Sequence, residues 1–177
     1  MAGERRARDH WLLDALGELR AESFAGRAWR VVRDGRDPLQ PSMIQGRWSP
    51  GTFDVLYTAL EADGACAETY FHLSRQPVFP SQLQFSLHEL RVNTRQSLRL
   101  PTIAELVRLG VDESHYREVL YERTQAIGDA AQFMGFDGLI VPSARSPCMN
   151  LVLFTDALQP EDLELVQSEM VDWERWR

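Results

Sequence analysis

GRWSPGTFDVLYTALEADGACAE, residues 46–68, reads as a glycine turn carrying Arg47, then a buried strand, then a helix. Gly46, Pro50 and Gly51 bracket the turn. The strand, residues 53–58, is a short apolar run with Tyr57 near its end. The helix, residues 61–75, sets Ala62, Cys66, Thr69 and Leu73 on one face, and Gly64 weakens it slightly. Upstream, residues 29–33 form a short strand, and a loop over 34–45 follows, marked by Gly35, Pro38 and Pro41. Residues 4–22 read as an amphipathic helix, because Leu12, Ala15, Leu16 and Leu19 recur at i, i+3, i+4 and i+7, and Gly26 closes it.

Downstream, residues 83–99 hold two strand-like runs. Residues 102–110 form a short helix opened by a capping box of Thr102 and Glu105. A second helical region, 114–134, is broken or bent near Gly128. Residues 135–138 make a turn, 139–141 a buried strand ended by Pro142, and 150–154 another. The tail, 159–177, is acidic and then aromatic. Strands and helices mix without a βαβ rhythm, so the fold class is α+β with a mixed or mostly antiparallel sheet. The 177 residues, about 1.2 times a typical domain, imply a single domain over 1–177.

Hydrophobic residues make up 44% of the chain and charged residues 25%, the balance of a folded globular protein. The net charge is −7, which argues against nucleic acid as a direct partner. All 19 basic residues are arginine. Schiff-base, phosphate-loop and kinase-type lysines are therefore excluded, and arginine is the only strong anion ligand. The spacing from Gly46 to Gly51 matches a phosphate loop, but Thr52 stands where lysine is required. His10, His72, His88 and His115 are scattered, so no metal is expected. Cys66 and Cys148 form no CxxC pair and fit a reduced, cytoplasmic chain. The N-terminal stretch lacks the apolar run of a signal peptide, and no stretch is long enough to span a membrane.

The candidate residues are Arg30 inside an apolar strand, Arg47 in the glycine turn, Tyr57, Glu68 and Ser143. Each has an ordinary reading taken alone: an edge-strand arginine, a core tyrosine, a solvated helix glutamate, a turn serine. Their combination is what carries information. The block GRW…LY…E, followed by TQAIGDAAQFMGFDGLIVPSAR (124–145) and NLVLF (150–154), resembles the RES family, named for Arg, Glu and Ser. The resemblance covers roughly residues 29–155.

That resemblance implies an ADP-ribosyltransferase-like fold: a mixed or antiparallel split sheet with surrounding helices. It implies a toxin of a RES–Xre type toxin–antitoxin pair that cleaves NAD+ at the nicotinamide–ribose bond, by hydrolysis or with inorganic phosphate as co-substrate. Two alternatives stay open, an ADP-ribosyltransferase with a protein acceptor and an inactive interaction protein on the same fold. The implied partner is an antitoxin with a helix-turn-helix (Xre-type) domain; the N-terminal helix or the Trp173/Trp176 tail is a candidate contact. Carried over by position, Glu68, Arg30 and Tyr57 are the catalytic candidates. Arg47, Trp48, Tyr57, Ser143, Arg30 and Asn150 are the NAD+-binding candidates. The chain departs from the family at Ser49, where many members carry Asn, and at Val31, where some carry Tyr. Thr124 and Gln125 match a polar pair in the family, and their distance from the ligand relative to Ser143 stays open.

The chemistry suits these residue types. Guanidinium forks pair with pyrophosphate oxygens, a tyrosine ring stacks on the cationic nicotinamide, and a carboxylate stabilises the oxocarbenium-like ribose left behind.

Overall fold

The computed structural model describes residues 7–176. In chain order the elements are α1 (His10–Gly17), β1 (Glu22–Arg33), β2 (Gln45–Gly46), β3 (Ser49–Pro50), β4 (Val55–Ala59), α2 (Ala62–Ser74), β5 (Phe85–Arg99), α3 (Ile103–Arg108), α4 (Glu122–Phe133), β6 (Gly138–Pro142), β7 (Met149–Phe154) and β8 (Leu163–Met170). None of the described helices is long and apolar enough to cross a membrane.

β5 organises the sheet. Its two expected runs are one continuous 15-residue strand. One edge of β5 pairs antiparallel with β1 along nearly its whole length. The other edge pairs antiparallel with β8 over Ser86 to Val92, then parallel with β6 over Ser97 to Arg99. A second antiparallel layer runs β4, β7, β6. The layers rejoin where Trp29 of β1 pairs with Ala59 of β4. The result is the split α+β sheet expected from the sequence, with one parallel junction.

A buried carboxylate holds that parallel junction. Asp137 accepts hydrogen bonds from the Arg95 amide at 2.6 Å, the Gln96 amide at 2.9 Å and the Ser97 hydroxyl at 2.9 Å. These are the positions where β5 leaves β8 and meets β6. Three short bonds to one buried carboxylate satisfy amides that the change of partner would otherwise orphan.

The core has three parts. Leu56, Leu90, Val92, Ile140 and Leu151 fill the space between the layers. Leu12, Trp48, Ile127, Leu139 and Phe154 pack α1, α3 and α4 on the outer face of the second layer. Ala65 and Cys66 of α2 meet Ala59, Leu87 and Cys148. The helix α2 therefore buries Gly64, Ala65 and Cys66 rather than the face through Thr69 and Leu73. Gly64 is explained by proximity: a Cβ there would stand 2.2 Å from the Cys148 Sγ.

Several boundaries differ from expectation. The N-terminal helix covers only His10–Gly17; residues 4–6 of the expected span lie outside the described residues. Asp9 caps it, accepting from the amides of Trp11 and Leu12. Glu22 and its successors are strand, because pairing with β5 outweighs a helical pattern that carried no further. Gly26 accordingly lies within β1 and closes no helix. The tail contributes β8, and Trp173 packs among Tyr70, Phe79 and Phe85. The capping box of Thr102 and Glu105 forms as expected.

Helix α4 runs unbroken through Gly128. The glycine is there for contact: a Cβ would lie 1.8 Å from the Trp48 carbonyl oxygen. Gly128→Ala is expected to destabilise the fold by about 3 kcal/mol or more, since backbone blocks the methyl group. Urea unfolding checks this; a midpoint equal to the parent's contradicts the packing.

Candidate active site

Next to the Trp29–Ala59 junction, where the layers part, lies a cavity of about 520 Å³. Such a volume falls within the range of small-molecule sites, about 300–1,000 Å³. Arg30, Arg47, Trp48, Tyr57, Glu68 and Asn150 all line it. Ser143 does not line it, but its hydroxyl donates to Glu68 Oε1 at 2.7 Å.

Glu68 sits on α2, about one turn on from Gly64 in the buried Gly64–Cys66 patch that seats the helix on the sheet. Asn150 of β7 donates from Nδ2 to the same Oε1 at 3.0 Å. Ser143, just after β6, is itself oriented: its oxygen accepts from the amides of Arg145 at 3.1 Å and Ser146 at 3.3 Å. One carboxylate oxygen is thus held from two strands, and no protein hydrogen bond from the described residues reaches Oε2. Asn150 Oδ1 is buried and unpartnered beside it, an acceptor available to a hydroxyl.

The glycine turn is built around the Tyr57 hydroxyl. The Trp48 amide donates to it at 3.1 Å. A Cβ on Gly46 would lie 2.5 Å from the same oxygen, so only glycine allows the approach. Gln125 Nε2 donates to the Gly46 carbonyl at 2.9 Å. Trp48 borders the cavity, yet its side chain is 1% exposed and belongs to the core, so the indole anchors the turn. Ser49 is fully buried and accepts from the Gly51 amide, a local loop bond.

The turn delivers Arg47 to the cavity. Its guanidinium lies between the rings of Tyr116 and Tyr121, at 4.9 and 4.7 Å from their centroids. It donates to the carbonyls of Tyr116 at 2.6 Å and Glu118 at 3.2 Å. Arg30, on β1 one residue beyond the junction, is half-buried; burial lowers its pKa and Asp37 opposes the shift. Sequence reasoning missed Arg145, which follows Ser143 by two residues in the same quoted block and also lines the cavity. It missed Tyr121 as well, whose ring lies over Arg47. Thr124 and Gln125 support the loops and do not line the cavity: Thr124 donates to the Tyr121 carbonyl.

Charge sets this cavity apart. Three guanidiniums and one carboxylate line it, a formal excess of two positive charges in a chain of net charge −7. Among the described residues none of Arg30, Arg47 or Arg145 forms a salt bridge. A larger hollow, about 1,070 Å³, lies between the start of α1 and α4. Its arginines are neutralised, Arg8 by Asp129 at 2.7 Å and Arg123 by Asp9 at 3.0 Å. Of these two cavities, only the smaller offers cations unpaired among the described residues. No metal-binding group of His, Cys, Asp and Glu occurs among the described residues.

The RES domain family model matches residues 27–174. The chain belongs to the RES-domain family. The match reaches beyond the expected 29–155 and takes in β8, which completes the first layer of the sheet. The fold is shared with a chain in the crystal structure of the M. tuberculosis MbcT–MbcA toxin–antitoxin complex. The TM-score is 0.85 at 22% identity, covering 96% of this chain and 97% of that one. No curated protein matches the sequence. In this RES domain Arg30 and Glu68 line one cavity and Ser143 reaches it through its hydrogen bond to Glu68, although the three are far apart in the chain.

Burial raises the pKa of the Tyr57 hydroxyl to about 12, and the Trp48 amide only partly offsets it. Burial raises Tyr116 as well. Tyr57 is therefore expected to contribute no tyrosinate absorbance at pH 10.5. Alkaline spectrophotometric titration of the parent and Tyr57→Phe should give the same absorbance at that pH. A lower value in the variant contradicts the enclosed hydroxyl.

Proposed function

We propose that this RES-domain chain is a toxin that degrades NAD+ by cleaving the bond between nicotinamide and ribose, and that a cognate antitoxin with a helix-turn-helix domain restrains it. The observation that carries the reading is the Glu68 carboxylate, fixed through one oxygen by Ser143 and Asn150, in a cavity whose other charged groups are three unpaired guanidiniums. NAD+ presents the complementary pattern: a pyrophosphate with two negative charges and a ribose that becomes cationic as nicotinamide leaves.

In this reading Arg47 and Arg30 take the phosphates, and bidentate guanidinium contacts fix the nucleotide's register. Tyr57 offers its ring to the nicotinamide end. The glycosidic C–N bond then breaks, and its electron pair leaves with the nicotinamide nitrogen, which becomes neutral. Positive charge develops on the ribose. The free Oε2 of Glu68 stabilises that charge more in the transition state than in the ground state. A water or phosphate oxygen then bonds to the anomeric carbon; where water attacks, its proton passes to Glu68 or to solvent. Holding Oε1 with two donors keeps the carboxylate in place and orients its other oxygen.

The antitoxin partner is supported by family membership and by the structural neighbour's place in a toxin–antitoxin complex. This reading carries a cytoplasmic location with it, where NAD+ and such an antitoxin would meet the chain. No metal takes part in the proposed chemistry.

Glu68→Gln separates binding from turnover. The amide oxygen still accepts from Ser143 and Asn150, so the site's geometry survives while the negative charge is lost. The variant should bind NAD+ with near-parental affinity and lose at least about 100-fold in nicotinamide release. Parental turnover in the variant removes Glu68 from catalysis. Arg47→Ala should weaken NAD+ binding about tenfold or more in calorimetric titration. Unchanged affinity removes Arg47 from the anion site.

A further inference from the structure

Arg145 is held in a way that structural need alone does not explain. It belongs to the same turn as Ser143, since both its amide and that of Ser146 donate to the Ser143 oxygen. Its guanidinium carbon lies over the Phe71 ring, 3.3 Å from the centroid, and the side chain lines the cavity. One nitrogen, Nε, is buried without a hydrogen-bond partner. Another, Nη1, donates to the Arg117 carbonyl. Among the described residues no carboxylate pairs with it, and burial together with the like charge of Arg47 disfavours its protonated form. Glu68 and Tyr121 offset this only in part. A partly desolvated cation with no salt-bridge partner, beside another cation, is a state a protein keeps where an anion is to be received.

The acceptors now serving these two arginines form a pattern. Arg47 donates to the carbonyls of Tyr116 and Glu118, and Arg145 to that of Arg117. Three consecutive peptide oxygens therefore occupy the donors of two guanidiniums. Carbonyl oxygens are neutral acceptors with partial negative charge. Phosphate oxygens are charged, and hydrogen bonds to them are roughly twice as strong. Tyr116 is buried, but Arg117, Glu118 and the residues after them are exposed, Leu120 at 63%. It stays tethered on one side, where the Tyr116 hydroxyl donates to the Pro142 carbonyl at 2.6 Å.

We propose that Arg145 is a further phosphate-binding residue that closes with Arg47 on the pyrophosphate of the nucleotide, and that the carbonyls of residues 116–118 fill the pair until the nucleotide arrives. The proposal rests on the NAD+ reading and deepens it. Binding exchanges three neutral acceptors for phosphate oxygens. The 117–120 segment is released while Tyr116 keeps its own anchor. Phe71 supports the guanidinium from behind, so its donors stay edge-on to the site.

Calorimetric titration of the parent, Arg145→Met and Arg145→Lys with ADP-ribose and with nicotinamide riboside tests this. Methionine keeps the contact with Phe71 without the charge, and lysine keeps the charge without the fork. Arg145→Met is expected to lose about 10- to 100-fold in affinity for ADP-ribose and to keep its affinity for the phosphate-free nucleoside. Arg145→Lys should recover part of the loss; it also carries the test, through the same ligand pair, should the methionine variant not fold. Hydrogen exchange at residues 117–120 should quicken when the parent binds ADP-ribose. Equal losses for both ligands reduce Arg145 to a clamp on the loop and overturn the proposal, as does unchanged ADP-ribose affinity. A parent chain that fails to bind ADP-ribose overturns the NAD+ reading and the proposal together.

Discussion

The Glu68 carboxylate is gripped by side chains from two places the helix bearing it does not touch in sequence, Ser143 after β6 and Asn150 on β7. That pair of hydrogen bonds ties α2 to the second layer of the sheet. It also explains why α2 must lie so low on the strands. Gly64 lets the helix approach Cys148, and Ala65 and Cys66 fill the contact. Had the helix stood off by the thickness of a methyl group, Glu68 would lose both donors. The seating of a small-residue helix face is therefore what sets the position of the one carboxylate in the cavity.

The remainder of the site concerns positive charge. The chain has no lysine, and elsewhere its half-buried arginines meet carboxylates, as Arg8 and Arg123 do. In the cavity Arg47 and Arg145 meet backbone carbonyls and aromatic rings instead. Rings and carbonyls position a guanidinium without neutralising it. Local field rather than total charge governs attraction of an anion, so an acidic chain of −7 is compatible with an anion-binding hollow. Tyr57 links the two halves of this design. Its ring faces the cavity, and its hydroxyl pins the turn that carries Arg47.

Much of this was legible in the sequence, and for identifiable reasons. The strand at β4, the helix at α2 and the turn between Gly46 and Gly51 are local patterns, and apolar runs and glycines report them directly. The motifs around Arg47, Glu68 and Ser143 carried the family and the fold with it. Long-range pairing was not legible. Residues 22–28 become strand because β5 offers an edge, and β8 exists for the same reason; neither has a pattern strong enough to stand alone. Arg145 was in view within VPSAR but had no distinguishing feature until Phe71 and the 116–118 carbonyls surrounded it. Gly128 was seen as a weak point of a helix, whereas its meaning is the Trp48 backbone lying across it.

Chromatographic detection of nicotinamide, after purified and folded chain is mixed with NAD+ in the presence and absence of inorganic phosphate, addresses the central claim most directly. The account predicts nicotinamide in step with loss of NAD+, accompanied by ADP-ribose or its phosphorylated counterpart in matching amount. NAD+ left intact under both conditions contradicts it.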